Sequence, residues 1–205
     1  MGLRQGDTSH PQARAIAAWL PPATVIGIAG TLELFGDAGR EALAFYRPGL
    51  ADGELWRLLS AHFVHLGPSH LLLNAAGLLL VWYLVSSSFS KLNWLLVTLL
   101  VIAGVNAGLW FLEPQLVWYV GLSGLLHGLL AAGIVAGFSP GRIDLLVLGL
   151  LVAAKLIYEQ FVGPLPGSAE SSGGAVIVAS HLYGAITGVM AAVLIKIRAG
   201  QPAAI

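Results

Sequence analysis

Residues 119–128 read Tyr119-Val120-Gly121-Leu122-Ser123-Gly124-Leu125-Leu126-His127-Gly128, a serine between glycines at the head of a long apolar run that also holds a histidine. In hydrocarbon such a serine has two uses. It can be a small packing residue whose hydroxyl bonds back to the preceding turn. It can also be a nucleophile, which requires a base within reach and donors around the oxygen that its attack creates. Which use applies depends on what the rest of the chain brings to the same depth.

The surroundings are those of a membrane. The chain has 205 residues, 57% hydrophobic and only 10% charged, with a mean hydropathy of +0.84. Soluble proteins carry about 25% charged residues, so the composition indicates an all-α polytopic membrane protein. The absence of cysteine excludes disulfides, thiolate metal sites and cysteine nucleophiles. Zero net charge without a basic run argues against a nucleic-acid partner. Arg4, Asp7 and Arg14 precede the first apolar stretch, and no clear small-residue cleavage site follows. Residues 1–14 therefore read as a retained cytoplasmic tail, not a removable signal.

A span needs roughly 20 mostly apolar residues to cross a ~30 Å hydrocarbon core. Six stretches qualify, at about 15–35, 70–85, 92–112, 120–138, 143–162 and 175–197, giving a six-transmembrane helix bundle over 15–198 and a short tail at 199–205. Pro21 and Pro22 in the first predict a kink or a late start. Residues 36–69 are too polar to span, with Asp37, Arg40, Glu41, Arg47, Asp52, Glu54 and Arg57, and read as a long outer loop with amphipathic pieces at the membrane surface. Arg4, Arg14, Lys91, Arg142, Lys196 and Arg198 fall on one side of a six-span chain, which places both termini in the cytoplasm. The arginines of the long loop break the asymmetry and are expected to sit in local ion pairs.

In this topology the second, fourth and sixth spans run in the same direction, so their first turns share one depth near the outer face. His70 and Asn74, Ser123 and His127, and His181 all lie there, within roughly 10 Å of the interface at ~1.5 Å per residue. Gly124 and Gly128 on one helix, and Gly184 and Gly188 on another, have the spacing that lets two backbones approach closely. That approach is what a Ser123 to His181 hydrogen bond requires. The chemical reading is a dyad in which Ser123 attacks a carbonyl and neutral His181 takes its proton. His70, Asn74 and the Ser123 backbone N–H are candidate donors to the oxyanion. Among the carboxylates, Glu113 and Glu170 fall in loops and Asp144 on the cytoplasmic side, so no acid is placed to orient His181. Orientation is left to packing, with His127, one turn below Ser123, stacking on the ring.

The plain alternative is that each of these is a satisfied packing residue, since serine and histidine both join membrane helices. It suits any one of them better than the set, whose members share a depth. A metal is the chemical rival, but His62, His65 and His70 have loose ligand spacing, no carboxylate joins them and H-E-x-x-H is absent. No metal and no other cofactor is therefore expected. Lys155 and Glu159, four apart, read as a helix-face ion pair, with a proton relay as the functional alternative. Asn106 and Glu33 have no evident sequence partner, and His10 reads as exposed and inert. A small transporter is disfavoured by the lack of an internal repeat.

Taken together, Trp56-Arg57, His65, His70, Asn74, Gly121-x-Ser123-Gly124 and His181-x-x-Gly184-x-x-x-Gly188 resemble the signature of the rhomboid intramembrane serine proteases. The resemblance covers about 15–198. It implies the rhomboid-like six-helix fold, Ser123 as nucleophile, His181 as base, and His70, Asn74 and the Ser123 amide as oxyanion hole. Trp56, Arg57 and His65 match family positions associated with structure. His127 stands where better-known bacterial rhomboids tend to have tyrosine, and the Leu-Ser-Gly-Leu-Leu-His-Gly string is similar to the rhombosortase subgroup. That subgroup implies membrane-anchored substrates with a C-terminal tail of glycines, a hydrophobic helix and a basic end, cut near the Gly-Gly with water or an amine as acceptor. It also implies a bacterial inner membrane, with the site toward the periplasm. The alternatives are a rhomboid protease without sorting specificity and an inactive client binder, which would be expected to lack the serine or the histidine. The glycine-rich stretch 168–174 beside the sixth span is a candidate lid.

Overall fold

The computed structural model describes residues 11–198 and residue 200. Of the expected tails, Arg4, Asp7, His10, residue 199 and residues 201–205 lie outside the described residues. Residues 11–14, assigned above to the tail, belong to the first helix, α1 (Pro11–Glu33).

Helix α1 runs through Pro21 and Pro22 without the expected late start. Proline at position 22 has no N–H to give the carbonyl of Ala18, one turn back. The indole N–H of Trp82 donates to that carbonyl at 2.8 Å, so a side chain from another helix fills the gap in the ladder.

The long loop folds into short pieces: α2 (Gly36–Leu43), β1 (Phe45–Tyr46), α3 (Arg47–Ala51) and α4 (Arg57–Ser60). Then come α5 (Pro68–Val85), a 3-10 turn at Ser86–Ser88, α6 (Lys91–Phe111), β2 (Trp118–Tyr119), α7 (Ser123–Gly137), α8 (Ile143–Phe161), α9 (Ser168–Ser172) and α10 (Val178–Arg198). β1 and β2 pair antiparallel, Phe45 opposite Tyr119 and Tyr46 opposite Trp118, which ties the first outer loop to the segment before α7.

Each arginine of the long loop has local work. Arg40 bonds Glu33 at 3.2 Å and Asp37 at 2.6 Å, giving Glu33 the partner that its sequence neighbourhood did not suggest. Arg47 donates to the carbonyls of Leu109, Trp110, Glu113 and Leu116 at 2.7, 3.1, 2.8 and 2.8 Å. It thereby satisfies carbonyls at the end of α6 that the helix itself leaves unpaired. Arg57 pairs with Glu54 and donates to the carbonyls of Glu41 and Ala44 at 2.8 and 3.0 Å, while the indole of Trp56 donates to Ala42 at 3.2 Å.

α7 is the axis of the bundle, packed against α5, α6, α8 and α10. It is apolar on all sides, as a helix enclosed by others must be. It meets α10 along the glycines: a Cβ on Gly184 would collide with the carbonyl of Gly124, and one on Gly188 with that of Gly128. The outward faces of the other long helices carry large apolar residues, among them Leu72, Leu80, Leu95, Leu99, Leu150 and Ile157. Side chains of that kind on a solvent-sized surface belong against lipid, and the fold is an all-α membrane bundle.

Among the described residues, four helices have the length and apolarity of a span: Ile16–Glu33, Pro68–Ser88, Lys91–Phe111 and Val178–Arg198. The other two expected spans differ for separate reasons. α7 has 15 residues, about 22 Å at 1.5 Å per residue, short of the hydrocarbon thickness. α8 is 19 residues long but carries Asp144, Lys155 and Glu159.

Candidate active site

Ser123 is the first residue of α7, so its backbone N–H has no acceptor within the helix. The segment before it is held from outside. The N–H of Gly121 donates to Ala61 O at 2.9 Å, and the Tyr119 hydroxyl donates to Gly121 O at 2.8 Å. Burial pushes the Tyr119 phenol up to about 12, which keeps it a neutral donor. Gly121 has φ +118°, and a Cβ there would lie 2.7 Å from Cε1 of His70. Both the turn and the contact with His70 call for glycine.

The Ser123 hydroxyl faces α10. Its Oγ lies 3.0 Å from Nε2 of His181, which is 4% exposed. The other ring nitrogen, Nδ1, lies 2.9 Å from Oε2 of Glu159 on α8. This corrects the expectation that no acid is placed to orient His181. α8 runs opposite to α7 and α10, so its last turn reaches the level at which theirs begin. That geometry was available from the order of the spans. Lys155, the partner expected from the i,i+4 spacing, bonds the second carboxylate oxygen at 2.7 Å.

From Lys155 the chain of contacts returns to its origin. Nζ of Lys155 lies 3.0 Å from Nε2 of His127, and Nδ1 of His127 lies 2.8 Å from the backbone carbonyl of Ser123. The His127 and His181 rings stack at 4.2 Å with planes 18° apart. Ser123, His181, Glu159, Lys155 and His127 therefore close a ring of hydrogen bonds across α7, α8 and α10.

The ring fixes where its protons are. A backbone carbonyl only accepts, so Nδ1 of His127 carries the hydrogen and its Nε2 accepts from the ammonium. An ionised carboxylate only accepts, so Nδ1 of His181 donates to Glu159. The lone pair of His181 Nε2 then points at the Ser123 hydroxyl.

On the other side of Ser123 stands α5. Nδ1 of His70 accepts from the Leu66 N–H at 3.2 Å, which leaves Nε2 as an N–H donor beside Gly121. Asn74 is buried and gives one amide hydrogen to the His70 carbonyl at 3.0 Å; its amide has a second hydrogen to give. His65 is buried, and its ring packs against that of His70 in a T-shaped contact at 5.0 Å. Burial, reinforced by His70, pushes His65 down to about 3. Burial likewise pushes His62 down to about 4, against an opposing hydrogen bond from Asn106. Asn106 thus has partners after all: it faces His62 at 3.3 Å and donates to Leu58 O at 2.7 Å and Ile102 O at 2.8 Å. Trp56 and Arg57 are engaged within the loop and do not reach Ser123. Gly124, Gly184 and Gly188 enter the site only through the approach of α7 to α10. α9, within the stretch read as a candidate lid, packs against α5.

His127, Glu159 and His181 offer ligand atoms within 4.8 Å of one another, a spacing that a metal ion could use. The donor set does not fit one well. The lone pairs face the Ser123 hydroxyl and the Lys155 ammonium, and that ammonium already occupies the cation position between Glu159 and His127.

The family model for the Rhomboid domain matches residues 52–198. The chain is 34% identical over 92 residues to "Putative rhomboid protease YdcA" of Bacillus subtilis, a match covering 44% of this chain and 45% of that protein. It is 30% identical over 157 residues to "Uncharacterized protein Rv1337" of Mycobacterium tuberculosis, covering 73% of this chain and 62% of that protein. The chain thus spans less than two thirds of the length of these relatives.

Proposed function

The chain belongs to the rhomboid family, and from that membership we propose that it is an intramembrane serine endopeptidase of the rhombosortase kind. It cuts membrane-anchored clients near a Gly-Gly that precedes a C-terminal hydrophobic helix and a basic end. The observation that carries the reading is the 3.0 Å approach of Ser123 Oγ to His181 Nε2, with the lone pair of Nε2 directed at the hydroxyl.

Ser123 Oγ bonds to the scissile carbonyl carbon while its proton passes to His181 Nε2. The carbonyl oxygen takes up the negative charge and meets the N–H of Ser123, the Nε2–H of His70 and the free amide hydrogen of Asn74. As the intermediate collapses, the C–N bond breaks and His181 returns the proton to the leaving amine. The acyl-enzyme then yields to water, or to an amine nucleophile, with His181 again taking the proton. Glycines at the cut suit this site, because unwinding a client helix is easier by about 1 kcal/mol for each glycine relative to alanine.

His127 in place of tyrosine supports the rhombosortase assignment. The distribution of Lys91, Arg142, Lys196 and Arg198 at the end of the bundle away from Ser123 supports cytoplasmic termini in a bacterial inner membrane and a site toward the periplasm. The test is intact-mass analysis of a Gly-Gly-tailed client, beside one whose glycines are replaced by leucine, after incubation with wild type and Ser123→Ala. The expected product appears only with wild type and the glycine tail, and its mass distinguishes a free carboxylate from an amide. Equal cutting of both clients would leave a protease without sorting specificity, and product from Ser123→Ala would remove the assignment of the nucleophile.

A further inference from the structure

We propose that Glu159 and Lys155 form one ionic unit that positions His181, with Glu159 holding the ring through Nδ1 and Lys155 holding Glu159 in place and linking it to His127, which stacks on the ring. The proposal rests on the serine protease reading and concerns how its base is set.

Glu159 is 3% exposed and lies inside a membrane bundle, where an unpaired carboxylate is costly. If the pair were only a stabilising bridge, both carboxylate oxygens would be expected to serve the lysine or solvent. They are divided instead: Oε1 takes Lys155 at 2.7 Å and Oε2 takes His181 at 2.9 Å. The lysine is divided too, between Glu159 and His127 Nε2 at 3.0 Å. Apart from the Lys155–Glu159 bridge within α8, every connection in the ring runs from one helix to another or ends on Ser123. Rotation of the His181 ring would break the contact with Glu159 and the stack on His127 together.

The energetic logic follows from the charges. Glu159 and Lys155 sum to zero, so the unit sits in a low-dielectric interior without net charge. When His181 accepts the serine proton, the anion is already 2.9 Å from Nδ1, and no solvent reorganisation is needed to meet the new cation. Neither residue touches the reacting atoms, so both are positioning residues.

Buried ion pairs offer a clean test, because replacing both partners by apolar residues of similar size is often neutral or stabilising. A fluorophosphonate probe reports on the serine without a client: Oγ bonds to phosphorus, fluoride leaves, and the proton goes to His181. The maximal labelling rate and the half-saturating probe concentration are measured for wild type, Ser123→Ala, Glu159→Gln and Lys155→Met/Glu159→Leu in detergent, with a thermal unfolding midpoint for each. The expected result is a fall of about 100-fold or more in the maximal rate for both pair variants. The half-saturating concentration stays within about twofold, and the double variant keeps the wild-type midpoint. In spectra of protein with ¹⁵N-labelled histidine, His181 carries its proton on Nδ1 in wild type and loses that preference in the double variant. Labelling of the folded double variant within about threefold of wild type would overturn the proposal, even if Glu159→Gln failed to fold. Equal labelling of wild type and Ser123→Ala would instead remove the nucleophile assignment, and this proposal with it.

Discussion

Charge is used in two regions of this molecule, in opposite ways. In the outer loop, Arg40, Arg47 and Arg57 end on nearby carboxylates and on backbone carbonyls at helix ends. Their bonds finish hydrogen-bonding groups that the fold leaves open, and removing one loosens the loop. Inside the bundle, Lys155 and Glu159 satisfy each other and then reach past each other to two histidines on other helices. A charged side chain that completes backbone serves the fold. One whose second bond goes to a titratable ring beside a serine is, in the proposal above, the one that serves chemistry.

The contrast breaks most readily if the two regions exchange readouts. The Lys155→Met/Glu159→Leu double variant is expected to slow probe labelling of Ser123 by about 100-fold or more at little cost in unfolding temperature. Arg47→Ala is expected to lower stability by about 2–4 kcal/mol, because several helix-end carbonyls lose a charged donor together. Its labelling rate per folded molecule should be unchanged. An Arg47→Ala protein with wild-type stability, or one that is stable but inert, would dissolve the distinction. A smaller effect concerns the buried histidines of the same loop, His62 and His65. Above pH 6.5, the ordinary histidine value, both are neutral folded or unfolded and add no pH dependence. As the pH falls below it, the unfolded chain binds protons that the folded chain refuses until about 4 and about 3 respectively. Stability should therefore fall with acidification in that window, by up to about 1.4 kcal/mol per pH unit for each group. Unfolding measured between pH 8 and pH 5 checks this, and His62→Gln should flatten the slope; an equally steep slope in that variant would count against it. The smallest effect is expected for His127→Tyr. A tyrosine ring can keep the stack on His181 and its oxygen can accept from Lys155, so labelling should stay within about tenfold of wild type, whereas inactivity would give His127 a more direct part.

The sequence carried the helices and the level of the site further than it carried the site's wiring. Apolar runs and the alternation of polar ends are local properties. They place six helices to within a few residues and bring His70, Ser123 and His181 to one end of the bundle. What they miss is each bond whose partner lies on a distant element. Pro22 reads as a break until Trp82 fills the open carbonyl of Ala18. Arg47 reads as one more loop charge until it closes the end of α6. Two-residue strands such as β1 and β2 are too short to leave a periodicity. Glu159 is the instructive miss: its lysine partner four residues earlier satisfies the local rule, whereas its level with His181 depends on the antiparallel course of α8.

The most direct test of the central claim is peptide mapping of the fluorophosphonate-treated wild-type protein. A single adduct is expected, on the peptide that contains Ser123, absent after Ser123→Ala and after His181→Ala. An adduct on another serine, or unmodified Ser123 in protein that still cuts a Gly-Gly-tailed client in the presence of the probe, would contradict it.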